Sequence, residues 1–322
     1  MSNNITPKPR ARRIIIFMLK LTISVSILGW VFHKFDPQDL AQASQSLFTI
    51  EFAVAIALMG LQPIFASLRW HVVLAKLNGA APAVRRLISY YFVGLFVGQV
   101  LPSTLGGDVV RGHYTYTDRV PIKTVILSIF MERLLSFLVL LSMAGAALIL
   151  FTTSNHQEEA PIYYLTLALL LTGAAFAPFM LPDRLVAWCD ARLRYKVIAT
   201  VIHNGKSLLA SADTWAQIIA LSILSQSAVL ASAYMIAESL DLSLSVLAVV
   251  TTMPLVMLTA MLPISFAGWG VREGALVLLL AQHEVGDLYA ASMGIMIGLA
   301  TLTVSLAGVV PWLTMSDALS SD

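Results

Sequence analysis

The chain has 322 residues, of which 58% are hydrophobic and only 12% charged. A soluble domain usually carries about 25% charged residues, so this chain has too little charge to coat a water-facing surface and must face lipid over most of its area. A net charge of +2 gives no basic field for nucleic acid, and one cysteine, Cys189, excludes an intrachain disulfide and a Cys-based metal site.

The first element is an apolar stretch over Ile14–Phe32, preceded by Lys8, Arg10, Arg12 and Arg13. Ala41-Gln42-Ala43 imitates a cleavage site, but Lys20 interrupts the apolar run and His33-Lys34-Phe35-Asp36 separates it from that tripeptide. The stretch therefore reads as a retained anchor rather than a cleaved signal. A helix needs about 20 apolar residues to cross about 30 Å of hydrocarbon. Further spans are expected over Phe52–Leu68, Leu134–Phe151, Pro161–Leu181, Thr214–Ala237 and Leu288–Trp312, about six in all. Asp183–Ala210 mixes apolar residues with Arg192, Arg194 and Lys196, and reads either as an interfacial amphipathic helix or as a solvated connector.

Two apolar stretches are interrupted. Leu87–Gly107 ends in Pro102, Ser103, Thr104, Gly106 and Gly107, and Leu242–Val271 contains Pro263, Ser265, Gly268 and Gly270. Proline and clustered glycine break helices. All basic residues except Lys34 and Arg272 fall in the N-terminal tail, at Lys20, or in Arg69–Arg86, Arg111–Arg133 and Asp183–Asp213. Basic loops stay cytoplasmic. If all of these do, Leu87–Asp108 must enter from the cytoplasm and return to it as a re-entrant hairpin.

The two interrupted stretches match when Pro102 is laid on Pro263, an offset of 161 residues that also aligns Thr104 with Ser265, Gly107 with Gly268 and Arg111 with Arg272. The topology makes the halves opposite in direction, an inverted repeat of the kind common in transporters. The fold expected is all-α and polytopic: about six spans plus two Pro/Gly-broken re-entrant hairpins. It forms one integral membrane domain over 1–322, with repeat units 33–150 and 213–322 joined by a connector, 151–212. Both termini come out cytoplasmic, in a bacterial-type inner membrane.

Charge inside apolar segments is costly and marks the candidate site. Asp108 and Arg111 follow the first break, Glu132 and Arg133 lie at the start of Leu134–Phe151, and Arg272 and Glu273 follow the second break. Helix starts near Gly107 and Gly270 expose unpaired N–H groups that favour an anion, and arginine holds phosphate through paired hydrogen bonds. The substrate-binding set is therefore Ser103, Thr104, Asp108, Arg111, Glu132, Arg133, Ser265, Arg272 and Glu273, with Pro102, Gly106, Gly107, Pro263, Gly268 and Gly270 as helix-break positions. A purely structural set of salt bridges is the competing account. Gly94/Gly98 and Gly294/Gly298 read as packing glycines, and Trp30, Trp70 and Trp312 as interface anchors.

Three segments, GLFVGQVLPSTLGGDVVRGHYTYT over Gly94–Thr117, MERLL from Met131 to Leu135, and LPISFAGWGVREG over Leu262–Gly274, resemble the signature of the lysylphosphatidylglycerol synthase transmembrane-region family. The resemblance covers nearly the whole chain. It implies a flippase-like membrane part, as in the multiple peptide resistance factor, that moves an aminoacylated phosphatidylglycerol between leaflets. The chain stops soon after its last span, so the soluble aminoacyl-transferase domain of that factor is not expected. No ATP-binding, G-x-S-x-G or H-E-x-x-H motif is present, and the six histidines have no ligand spacing. No catalytic residue, metal or cofactor is expected. The rival readings are a membrane glycosyl- or lipid-modifying transferase, which could use Asp36 or Asp39, and an accessory subunit of a lipid synthase. Partners expected are a phosphate-bearing membrane lipid (phospholipid, aminoacyl-lipid, polyprenyl-phosphate or hopanoid-related), a lipid synthase or glycosyltransferase, and a second copy of the chain.

Overall fold

The computed structural model describes residues 45–100, 106–154, 196–260 and 268–319, with Thr22, Pro182 and Arg184 as isolated positions. The spans expected over Ile14–Phe32 and Pro161–Leu181 lie outside the described residues, as do Pro102, Ser103, Thr104, Pro263 and Ser265. Among the described residues every regular element is helical. In chain order they are α1 (Ile50–Asn78), α2 (Val84–Val100), α3 (Gly106–Thr117), α4 (Ile122–Ser154), α5 (Lys196–Leu209), α6 (Ala212–Ser239), α7 (Val246–Ala260), α8 (Val271–Leu280), α9 (Asp287–Leu306) and α10 (Val309–Leu319).

Four paths are long and apolar enough to cross a membrane: Ile50–Asn78, Ile122–Ala146, Ala212–Ser239 and Asp287–Met315. They answer to four of the expected spans, with two corrections. The segments Arg69–Arg86 and Arg111–Arg133, expected as loops, are largely helical: α1 runs nine residues beyond Arg69, and α4 begins eleven residues before Arg133. Arg69, Arg111 and Glu132 turn into the protein and form ion pairs there, and arginine and glutamate are good helix formers, so the helices run on through them. The α1 start is capped by Thr49, whose side chain accepts from the Phe52 N–H at 3.3 Å, and its end turns through Gly79 at φ 75°.

Adding 161 to the bounds of α1 gives 211–239, against Ala212–Ser239 for α6. The same offset carries α4 to 283–315, against the apolar path Asp287–Met315. The equivalents of the short pair α2 and α3 are the short pair α7 and α8. The equivalent helices α1 and α6 pack along their length: Ser232 Oγ donates to the Ala55 carbonyl at 2.8 Å, Ser225 Oγ to that of Gln62 at 3.4 Å, and Ser222 Oγ accepts from Arg69 at 2.9 Å. Numbers fall along one helix as they rise along the other. The two are antiparallel, as an axis in the membrane plane requires of equivalent helices.

α2 and α3 form a hairpin. Its open end is tied by Arg86 Nη1 to Asp118 Oδ1 at 2.7 Å and by the Tyr90 hydroxyl donating to Asp118 Oδ2 at 2.8 Å. The arms have 17 and 12 residues, roughly 25 and 18 Å of helix, and each is shorter than the roughly 30 Å hydrocarbon layer. Buried Leu87, Tyr90 and Val93 of the hairpin pack in one cluster with Trp70 and Leu74 of α1. A larger core joins α1, α6, α7, α8 and α9 around Met59, Ile236, Met253, Leu276 and Met293. Leu208 of α5 is buried with Val73, Met131 and Ile218, so the end of the connector docks on the bundle. The outward faces carry Val54, Leu61, Phe130, Phe137, Leu224 and Leu302, exposed apolar residues suited to lipid.

Candidate functional site

Glu132, 2% exposed, stands on α4 between two arginines. Its Oε1 accepts from Arg69 Nη2 at 2.5 Å and its Oε2 from Arg111 Nη2 at 3.1 Å. Asp108 Oδ1 pairs with the same Arg111 nitrogen at 2.8 Å, and Asp108 Oδ2 accepts from Arg133 Nε. Arg69 also donates to Ser136 Oγ and Ser222 Oγ. One ionic network therefore ties α1, α3, α4 and α6.

Arg111 is 3% exposed, and its guanidinium lies between two aromatic rings, 4.8 Å from the Trp70 centroid and 4.7 Å from that of Tyr91. Such stacking suits the flat, weakly hydrated guanidinium. Its Nε and Nη1 have no hydrogen-bond partner among the described residues, nor does Arg69 Nε. Buried donors are rarely left unpaired. Arg111 lines a cavity of about 340 Å³ together with Asp108, Glu132, Arg133, Gly107, Gln62, Gln99, Gln226 and Ser136.

The glycines near the break fix how closely α3 can lie. Gly107 abuts the backbone of Gly94 in α2, and Gly98 faces it from one turn further on. Gly106 and Gly107 start α3, and Asp108 occupies its first turn. A carboxylate there suits the positive end of the helix.

The second break is built differently. Gly268 and Gly270 adopt φ 82° and 86°, a region open to glycine. Glu273 is fully buried and accepts from the Gly270 N–H at 2.6 Å and from Arg272 Nη2 at 2.6 Å. The Arg272 guanidinium sits 4.9 Å from the Trp269 ring centroid and fits against Gly298 of α9. Arg272 lines a second hollow of about 250 Å³, which shares Ser136, Gln226, Met257 and Ala260 with the first.

Of the sequence candidates, Asp108, Arg111, Glu132 and Arg133 come together at one cavity. Among the described residues, Arg272 and Glu273 make a separate pair beside the adjoining hollow rather than one network with them. Two residues were misplaced by sequence reading. Arg69, counted with the loop charges, is 1% exposed in the network, and Trp70, expected as an interface anchor, is fully buried and donates to Ser128 Oγ at 3.0 Å. The three cavity glutamines were missed, although a carboxamide in an apolar span was the available signal.

No curated protein matches the chain closely enough to add a relative. A family model, Lysylphosphatidylglycerol synthase TM region, matches residues 17–308, most of the chain. The chain belongs to that family, and with its apolar helices it is a multi-pass membrane protein of lipid-related function.

Proposed function

We propose that the protein is a lipid transporter that holds a phosphate-bearing headgroup in the cavity at Arg111 while the acyl chains stay in the bilayer, and that it performs no covalent chemistry of its own. One observation carries this reading: Arg111 and Arg133 line one cavity with Asp108 and Glu132 inside a bundle of apolar helices. Arginine is suited to phosphate because its planar donors match two oxygens at once. A headgroup phosphate would compete with Asp108 and Glu132 for the arginines, so binding and release share one set of contacts. The bacterial-type inner membrane, the cytoplasmic termini and a lipid synthase or glycosyltransferase that makes or uses the transported lipid belong to this proposal.

The test is transport in liposomes that contain the purified protein alone. Labelled anionic phospholipid should reach the opposite leaflet faster than in protein-free vesicles, with its mass unchanged. A changed lipid mass would establish a transferase instead. Neither movement nor change would leave an accessory role.

A further inference from the structure

We propose that a cavity of about 500 Å³, at the end of the bundle away from the open end of the α2–α3 hairpin, binds an uncharged sugar ring. Three stretches of chain meet there: the short 3-10 turn Ser46–Phe48 that leads into α1, the turn at Asp241 and Leu242 after α6, and the first turn of α9. Buried Phe52, Leu240, Leu244 and Ala290 join these stretches in one apolar cluster, so the core fixes the walls relative to one another. The cavity shares no described residue with the one at Arg111, and the inference does not depend on transport.

Its polar groups fall into two sets. The Thr49 hydroxyl donates to the Ser46 carbonyl at 3.0 Å and the Ser239 hydroxyl to that of Ile236 at 2.7 Å, so both are spent on the chain. The Gln45 amide, the Ser46 hydroxyl, the Asp241 carboxylate and the Tyr289 hydroxyl line the same cavity and, among the described residues, bond to nothing. Asp241 takes the left-handed conformation, φ 53°, at the helix end where glycine is usual, and the Leu242 N–H closes the turn on the Ala237 carbonyl at 3.0 Å. The chain thus carries a carboxylate where the turn itself asks only for glycine.

This wall selects a class of ligand. A carboxylate accepts, and a carboxamide, a hydroxyl and a phenol both donate and accept; the neighbouring hydroxyls of a sugar complement all of them. Leu242 and the Tyr289 ring add apolar surface for the C–H face of such a ring. An anion is disfavoured, because the described charges at this end, Glu51, Glu238, Asp241, Glu284 and Asp287, are all carboxylates. A hard metal ion is disfavoured too: it takes several oxygen ligands, and Asp241 is the one carboxylate among the described lining residues. The volume falls within the range of about 300–1,000 Å³ usual for small-molecule sites.

The experiment is saturation-transfer NMR on the full-length protein in phosphatidylcholine nanodiscs, which keeps sugar-headed detergents away from the site. The probes are methyl glucoside, gluconate and tetramethylammonium. Methyl glucoside should give saturation transfer that titrates, and the other two should bind at least about tenfold more weakly. Asp241→Asn should weaken methyl glucoside binding about tenfold, the order expected when the acceptor of hydroxyl donors loses its charge, and Tyr289→Phe should weaken it by a smaller factor. Neither side chain bonds within the chain, so both variants should keep the wild-type thermal midpoint; Asp241→Gly serves if Asp241→Asn does not fold. No transfer from methyl glucoside, undiminished binding in the Asp241 variant, or tighter binding of tetramethylammonium than of methyl glucoside overturns the proposal, the last by making the cavity an ammonium site. Nanodiscs that also hold glucosyl diacylglycerol separate the sources of the sugar. Loss of the methyl glucoside signal there upholds the proposal with a bilayer glycolipid as ligand, and its persistence upholds it with a soluble sugar.

Discussion

A Cβ placed on Gly94 would stand 2.8 Å from the carbonyl oxygen of Gly107, a separation that real side chains essentially never show. The arms of the α2–α3 hairpin thus meet backbone to backbone, and this contact sets where Asp108 and Arg111 stand. Gly94→Ala should push the arms apart at a cost of about 1–3 kcal/mol, the usual range for overpacking. Its thermal midpoint in detergent should fall clearly below that of Gly274→Ala, a position with nothing within 4 Å of an added Cβ. Equal midpoints would mean that the contact is not tight.

Glu132→Gln removes the carboxylate between Arg69 and Arg111 and leaves both guanidiniums buried with one anion fewer. Loss of one partner from a buried ion pair costs about 3–5 kcal/mol, so folded yield and thermal midpoint should drop. Added inorganic phosphate should restore part of the loss in this variant and do less for the wild type, since an anion can occupy the vacated place. An unchanged midpoint without phosphate would remove Glu132 from any supporting role.

Arg111→Lys keeps the charge but not the planar fork or the stacking between Trp70 and Tyr91. An ammonium offers its three donors from a single point and cannot meet two phosphate oxygens in parallel as the planar fork does. Lipid translocation per folded molecule should fall by about tenfold or more, the effect of losing roughly 1.4 kcal/mol of binding. Normal translocation with poor yield would assign Arg111 to structure alone.

Both open ends of the α2–α3 hairpin should face one side of the membrane. Single cysteines at Arg85 and Thr117, in a chain with Cys189 replaced, should react alike with an impermeant reagent: both silent in intact cells, both labelled in inverted vesicles. Labelling of one and not the other in intact cells would make the segment a crossing.

The sequence made the four described crossings legible because each is a long apolar run whose hydropathy does not depend on its neighbours. The turn at Gly268 and Gly270 was equally visible, since glycine acts locally, whereas Pro102 and Pro263 lie outside the described residues. Arg69 and Trp70 were not. Their roles depend on Glu132 and Arg111, which lie 63 and 41 residues away in sequence and meet them only through the packing of α1 against α4 and α3. A basic residue at the end of an apolar run looks the same whether it meets water or a buried carboxylate. The direction of the Arg272 side chain was hidden for a related reason: it is Gly298, on another helix, that makes room for it.

The two halves share a shape but not a chemistry. Under the 161-residue offset, Arg69 corresponds to Leu230, Asp108 to Trp269 and Glu132 to Met293, and the carboxylate of Glu273 corresponds to Gly112, which has no side chain. A chain of two identical halves could exchange their conformations and arrive at a state of equal energy. Here the bridging ions of one half have no counterpart in the other, so any such exchange joins states of unequal depth. On the transport reading proposed above, the chain would have a preferred resting side, and a ligand that loosens the Arg69–Glu132–Arg111 bridge would act on the balance between the two states.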